Sequence, residues 1–303
     1  MAFSHVRHHA GVGIAVVRKR LSSVPAPVLF VLSGISMYAG AAVAVGLFSV
    51  ASPAGVAWLR CLGAAVVLLA WRRPPRAAWT GRVFLLSGAF GIVTAGMNVL
   101  FYEAIARLPL GTAVALEFAG PVLVAAFGSR TRRDVFALLL VVAGVVAIAD
   151  VRLEGSLLGV LFALGAAAAW AGYILLGKRV AVGGTGIDGL AVGFAVGTVV
   201  LSPLAFGTGA VWGSPRLLLL GIGVGVLSTV VPYALDQVVL RRAGQARFAL
   251  LLALLPVTAG VIGFLWLKQV PTVPEALGTL AVVAGVALRS PEKRDRTAAE
   301  PPA

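Results

Sequence analysis

The chain has 303 residues, 60% of them apolar and only 12% charged, with a net charge of +14 and a mean hydropathy of +1.01. Soluble domains carry about 25% charged residues, so this composition excludes a cytosolic globular enzyme, a disordered chain and a disulfide-built secreted domain. The single cysteine, Cys61, lies inside an apolar run and leaves no intrachain disulfide or thiolate metal site.

Residues 1–26 read as a cytoplasmic basic tail with Arg7, Arg18, Lys19 and Arg20. The apolar run that follows is too long for a signal-peptide core and is expected to stay as a span. His5, His8 and His9 read as solvated tail rather than a metal tract. Ten apolar stretches then follow, each long enough to suggest a bilayer crossing. The first five are expected at Pro27 to Val50, Pro53 to Trp71, Val83 to Tyr102, Leu110 to Gly128 and Val135 to Ala149. The second five are expected at Ser156 to Gly177, Gly186 to Phe206, Leu217 to Leu240, Phe248 to Leu267 and Pro274 to Leu288. Residues 290–303 read as a charged, proline-containing disordered cytoplasmic tail.

Charge gives the orientation. The two tails and the even-numbered loops hold 20 Lys and Arg, the opposite side holds 4 (Arg107, Arg152, Arg216 and Lys268), and Arg60 is intramembrane. Basic loops stay in the cytoplasm, so both termini are expected there, in a multi-pass membrane protein. The positive charge then faces the anionic inner leaflet and implies no nucleic-acid partner.

Five spans on each side of Val151 put the halves in opposite orientations, the inverted repeat of many secondary carriers. The fold expected is all-α integral membrane: ten transmembrane helices in two inverted five-helix repeats, residues 27–150 and 151–289. An offset of 135 residues pairs Pro121 with Pro256 and Arg107 with Arg242. A proline inside a helix removes a backbone donor, and backbone freed at membrane depth persists only against protein or a wet cavity. Matched interruptions in two halves point to a midplane cleft, although a lone proline is often only a kink. The many glycines fit close helix crossings, as in Gly155-x-x-x-Gly159.

Charges at the bilayer centre cost about 2.5–3.5 kcal/mol each on insertion scales, so they face a cavity or a partner. Glu117 stands one turn before Pro121, and Asp236 continues a stripe with Ser228 and Pro232. Both carboxylates are candidates for the substrate or ion pathway, binding an ammonium group or a proton. Asn98 and Tyr102 share a face of the third span and would shape the ligand. Trp170 and Tyr173 offer an aromatic wall, or simply packing. Arg60 is expected to be a structural charge that neutralises one of the acids, and Glu103 to sit at the outer interface. No H-E-x-x-H, G-x-S-x-G, phosphate loop or thiolate cluster is present, so neither an enzyme nor a cofactor is expected.

Several of these segments resemble the EamA-type carriers of the drug/metabolite transporter superfamily, nearest the bacterial threonine/homoserine exporter branch. The resemblance rests on Met97-Asn98 through Tyr102, Leu108-Pro109-Leu110-Gly111, and Ala113 through Pro121 with its Ala-Leu-Glu-Phe-x-Gly-Pro core. Leu59-Arg60, Leu164-Gly165 through Trp170, and Leu227-Ser228-Thr229 with Pro232-Tyr233 extend it over residues 30–288. It implies export of amino acids or related metabolites, coupled to the proton gradient, through a cavity lined from both halves. Arg60, Asn98, Tyr102, Glu117, Gly120 and Pro121 carry over. The chain departs from the branch at Val45, Glu103, Leu255, Asp236 and around Lys268-Gln269. Such changes in cavity charge alter which ligand is tolerated. The expectation is therefore a secondary exporter of small polar metabolites such as threonine or homoserine, with a small molecule, a proton and the lipid bilayer as partners. Efflux of a drug or secondary metabolite by the same fold is the alternative.

Overall fold

A computed structural model of the protein describes residues 24–128, 131–182 and 186–288. The histidines of the basic tail and the 290–303 tail lie outside the described residues. All regular structure among the described residues is helical.

Two of the helices begin on a serine followed by proline, a residue whose missing N–H costs nothing at that position. In α2 (Pro53–Arg72) the Ser52 hydroxyl accepts from the Gly55 N–H at 3.0 Å. In α9 (Pro215–Gly225) the Ser214 hydroxyl faces the Leu217 N–H at 3.5 Å, a looser version of the same cap. In order the helices are α1 (Ala26–Leu47), α2, α3 (Gly81–Ile105), α4 (Leu110–Glu117), α5 (Ala119–Gly128), α6 (Arg132–Val182) and α7 (Gly186–Val200). They continue with α8 (Gly209–Trp212), α9, α10 (Val231–Leu251), α11 (Leu254–Leu267) and α12 (Val273–Leu288).

Four of the ten expected spans are broken or bent, the fourth and ninth beside the prolines where interruptions were expected. The fourth expected span is split at Phe118 into α4 and α5, and the ninth at Leu252–Ala253 between α10 and α11. Pro121 and Pro256 have no N–H for the carbonyls of Glu117 and Leu252, and the helices stop there. The expected span from Gly186 to Phe206 bends by 67° beyond Val200, where Pro203 opens a 3₁₀ segment at Ser202–Thr208. The eighth expected span carries a π-helical turn, Val226–Val230, between α9 and α10. The fifth and sixth expected spans run on as α6 to Ser156, whose φ of −161° and ψ of 60° divide it into two helices at a kink.

Among the described residues, five helices are long and apolar enough to cross a bilayer: Ala26–Leu47, Pro53–Arg72, Gly81–Ile105, Ser156–Leu176 and Pro215–Gly244. The bent pair Ile187–Val200 and Ser202–Trp212 makes a sixth if taken as one span. Leu110–Val124, Leu254–Leu267 and Val273–Leu288 are shorter apolar helices. Large apolar side chains such as Leu219, Val199 and Leu85 lie on the outside. That is the arrangement expected when the solvent is hydrocarbon.

The helices cross where small residues let backbones touch. α1 packs on α10, α11, α9 and the π turn, and the second part of α6 packs on α3, α4 and α5. α2 meets α7 and α9, α3 meets α7, and α4 meets α11. α12 lies along the first part of α6, with Gly278 against Ile148 and Gly144. A side chain at Gly120 would sit 2.0 Å from the Ala167 carbonyl oxygen, and one at Gly40 2.2 Å from the Ser228 hydroxyl. Only glycine permits either approach.

Candidate functional site

The site is built on the interrupted helices. α4 is held at its first turn by two side chains from the far end of the sequence. Gln269 Oε1 accepts from the Leu110 N–H at 2.9 Å, and Thr112 Oγ1 donates to Glu275 Oε1 at 3.1 Å. Glu275 is fully buried and also accepts from Thr272 N and Oγ1, both at 2.9 Å, the capping box that starts α12. One and a half turns on, α4 ends at Glu117. This carboxyl group is 9% exposed and faces the protein interior, and among the described residues it has neither a hydrogen bond nor an ion pair. Trp170 from α6 packs edge-to-face on Phe118 at 4.9 Å and so braces the break beside it.

Arg60 does not pair with either acid, contrary to the structural ion pair expected for it. Its Nε donates to Thr229 Oγ1 at 3.1 Å and its Nη2 to the Ser228 carbonyl at 3.0 Å, both in the π turn. The widened turn exposes a carbonyl that a regular helix would keep for itself, a feature frequent at functional positions. Ser228 Oγ donates in turn to the Met37 carbonyl of α1 at 3.0 Å. The guanidinium also lies 5.6 Å from the centre of the Tyr102 ring. The ion pairs among the described residues are Arg107 with Glu103 and Arg72 with Asp188, both away from this centre.

Asp236 is half-buried on α10 and accepts from Ser33 Oγ of α1 at 2.7 Å. Tyr38, 3% exposed, is within electrostatic reach of Glu117, Arg60 and Asp236. Tyr102, on α3, is fully buried; its hydroxyl lies beside Arg60 and Ser228 without hydrogen-bond geometry to either. Asn98 is buried one turn earlier and donates to Cys61 Sγ at 3.8 Å.

Of the residues expected from sequence, the structure thus gathers Glu117, Arg60 and Tyr102 around one interior region, with Asn98 and Asp236 at its margins. Pro121 and Pro256 are buried just beyond the two breaks, and α4 and α11 touch at Gly111 and Gly260. Tyr173 does not share a wall with Trp170. It stacks on Phe90 at 4.7 Å and lies toward Tyr233 and Asp236. Glu103 stays at the helix ends, pairing with Arg107 and accepting from the Ala54 N–H at 3.1 Å. No group of three His, Cys, Asp or Glu among the described residues is placed to hold a metal.

A family model described as the EamA-like transporter family matches residues 157–290. The "Threonine/homoserine exporter RhtA" of Salmonella typhimurium (strain LT2) is 35% identical over 263 residues, covering 85% of this chain and 89% of that protein. Its counterpart in Escherichia coli (strain K12) is 34% identical over 261 residues, covering 85% and 88%. The chain belongs to the EamA-like transporter family. A crystal structure at 21% identity, with a TM-score of 0.57 over 86% of this chain and 95% of that one, shares the helical fold.

As an EamA-like transporter the protein is a multi-pass membrane carrier and not an enzyme. Four of its polar residues escaped the sequence reading. Tyr38 and Ser33 sit in an apolar run that gives no sign of what they face. Gln269 looked like the loss of an acid, yet it caps α4. Glu275 had a legible signal, the Thr272-x-x-Glu275 spacing of a capping box.

Proposed function

We propose that this carrier exports threonine, homoserine and related small amino acids from the cytoplasm across the inner membrane, driven by proton entry. The observation that carries the reading is Glu117, a buried and unpaired carboxylate at a helix break, in a chain more than a third identical to proteins named threonine/homoserine exporters. An acid kept at membrane depth without a partner is a site for an ammonium group or a proton. Glu117 takes the amino group of the substrate. Asp236, nearer the basic loops and bonded among the described residues only to a serine hydroxyl, carries the coupling proton.

The architecture proposed is ten crossings in two inverted repeats, residues 27–150 and 151–289, with both termini in the cytoplasm. Three features support it. The breaks at Phe118 and Ala253 are 135 residues apart, the same offset as Pro121 and Pro256. The packing is reciprocal: the first helix of one half lies on the broken helix of the other, in both directions. The Lys and Arg count favours one side by 20 to 4. Rocking of the halves about the two breaks would then open the site to each side in turn.

The test is transport by the purified chain in proteoliposomes, with Asp236→Asn as the diagnostic variant. Labelled threonine should exchange against internal threonine in both proteins. Accumulation driven by an imposed pH gradient should be lost only in the variant. A wild-type protein that moves neither threonine nor homoserine refutes the assignment. The second break is apolar, with Leu252 and Leu255 where the first has an acid, which favours efflux of a more apolar metabolite as the second reading. Resistance profiling of an overexpressing strain against amino-acid analogues and antibiotics separates the two.

A further inference from the structure

Arg60 presents a problem that the export reading alone does not answer. A guanidinium inside the helix bundle ordinarily finds a carboxylate, and Glu117 is within its electrostatic reach, yet the two form no ion pair. The chain instead ties Arg60 back. The π turn of the eighth expected span takes Nε and Nη2, leaving Nη1 without an acceptor among the described residues. Gly40 lets α1 close on that same turn, since any side chain there would meet Ser228. Tyr102, fully buried, brings a hydroxyl without a hydrogen-bond partner to the same place. Leaving a buried hydroxyl unpaired costs about 1–3 kcal/mol. Arg60 is thus near both the Tyr102 ring and the Glu117 carboxylate without an ion pair to the acid.

We infer that Arg60 and Glu117 are the two poles of a zwitterion site: Arg60, with the Tyr102 hydroxyl, takes the α-carboxylate of the substrate, and Glu117 takes its α-ammonium. The inference deepens the proposed export of amino acids and rests on it. A ligand bearing both charges completes both partners at once, whereas one bearing a single charge leaves the other pole buried and unpaired. That asymmetry gives selection for the backbone of an amino acid whatever its side chain. Sites built on buried hydrogen-bonding groups reject analogues lacking the matching group far more strongly than apolar pockets do. Tyr38 is within electrostatic reach of both Glu117 and Asp236.

The experiment is threonine exchange in proteoliposomes carrying the full chain, competed by threonine, threonine methyl ester, threoninol and N-acetylthreonine. In the wild type, each analogue missing one charge should compete at least tenfold less well than threonine. Arg60→Gln should lose the preference for threonine over threoninol while keeping that over N-acetylthreonine, and Glu117→Gln should do the reverse. Arg60→Lys, which retains a cation, should keep part of the carboxylate preference. The wild-type competition series does not depend on any variant folding. Exchange of threonine with no discrimination against the ester or the N-acetyl compound overturns this inference alone. An Arg60→Gln protein that still rejects threoninol also overturns it. A wild type that exchanges no amino acid overturns the export reading and this site together.

Discussion

The two broken helices share a geometry and differ in chemistry. In the first, α4 stops at Glu117 and α5 resumes at Ala119; in the second, α10 stops at Leu251 and α11 resumes at Leu254. Each break lies three or four residues before a proline, which fixes where the backbone must open. The second break satisfies its own backbone by tightening, the Leu255 N–H bonding to the Leu252 carbonyl at 3.0 Å. What the opening is used for depends on the residue beside it. The first break holds a carboxylate within electrostatic reach of Arg60 and Tyr38, and the second holds leucines, with Leu255 filling the space left by Gly34. Two breaks of like geometry therefore differ in charge, and only the first sets a carboxylate beside the opening.

The strongest way to break this comparison is to neutralise one side and then trim the other. Glu117→Gln should lower threonine exchange at least about a hundredfold, equivalent to roughly 2.7 kcal/mol of lost stabilisation. Leu252→Ala, a half-buried residue at the corresponding place, should leave exchange within about threefold. Equal losses in both variants would mean that the breaks matter only as hinges. Initial rates in proteoliposomes at matched protein content decide it.

The crossings that support the breaks should differ in the same local way. Gly120 lies against the Ala167 carbonyl, whereas a side chain at Gly260 on α11 would meet nothing within 4 Å. Gly120→Val should therefore destabilise the carrier by about 1–3 kcal/mol through overpacking, lowering the melting temperature in detergent. Gly260→Ala should leave it nearly unchanged. A Gly120→Val protein that melts like the wild type would show that α5 and α6 can separate without cost.

The all-helical, membrane-embedded character could be read from the residues, because hydrocarbon imposes long apolar runs. Glu117, Tyr102 and Arg60 were legible for the same reason: polar groups in such runs stand out. Their partners were less so. Nothing in the order of residues says that Arg60 bonds to Ser228 and Thr229, 168 and 169 positions away, rather than to an acid. Tyr38 and Ser33 differ little from any small or aromatic residue in an apolar helix, and only packing puts them beside Glu117 and Asp236. The 67° bend after Val200 had a sign in Ser202-Pro203, but the apolar pattern continued past it and masked the change of direction.

The starts of the two broken helices sharpen the comparison by a smaller amount. α4 opens on Pro109, and its free Leu110 N–H is taken by Gln269; the segment leading into α11 opens instead at Gly244, with φ of +74°. A side-chain acceptor at a helix start contributes about 0.5–2 kcal/mol, and a negative charge there adds about 0.3–1 kcal/mol by opposing the helix dipole. Gln269→Leu should accordingly lower the melting temperature. Gln269→Glu should hold it or raise it by a degree or two, a size set by the charge increment against the roughly 2–4 °C per kcal/mol typical of larger domains. Because α4 carries Glu117 at its other end, the leucine variant should also weaken threonine binding, while Gly244→Ala, remote from any carboxylate of the first break, should affect stability without changing affinity. A fall in stability for Gln269→Glu would show that the Leu110 contact depends on the amide geometry rather than on the acceptor oxygen.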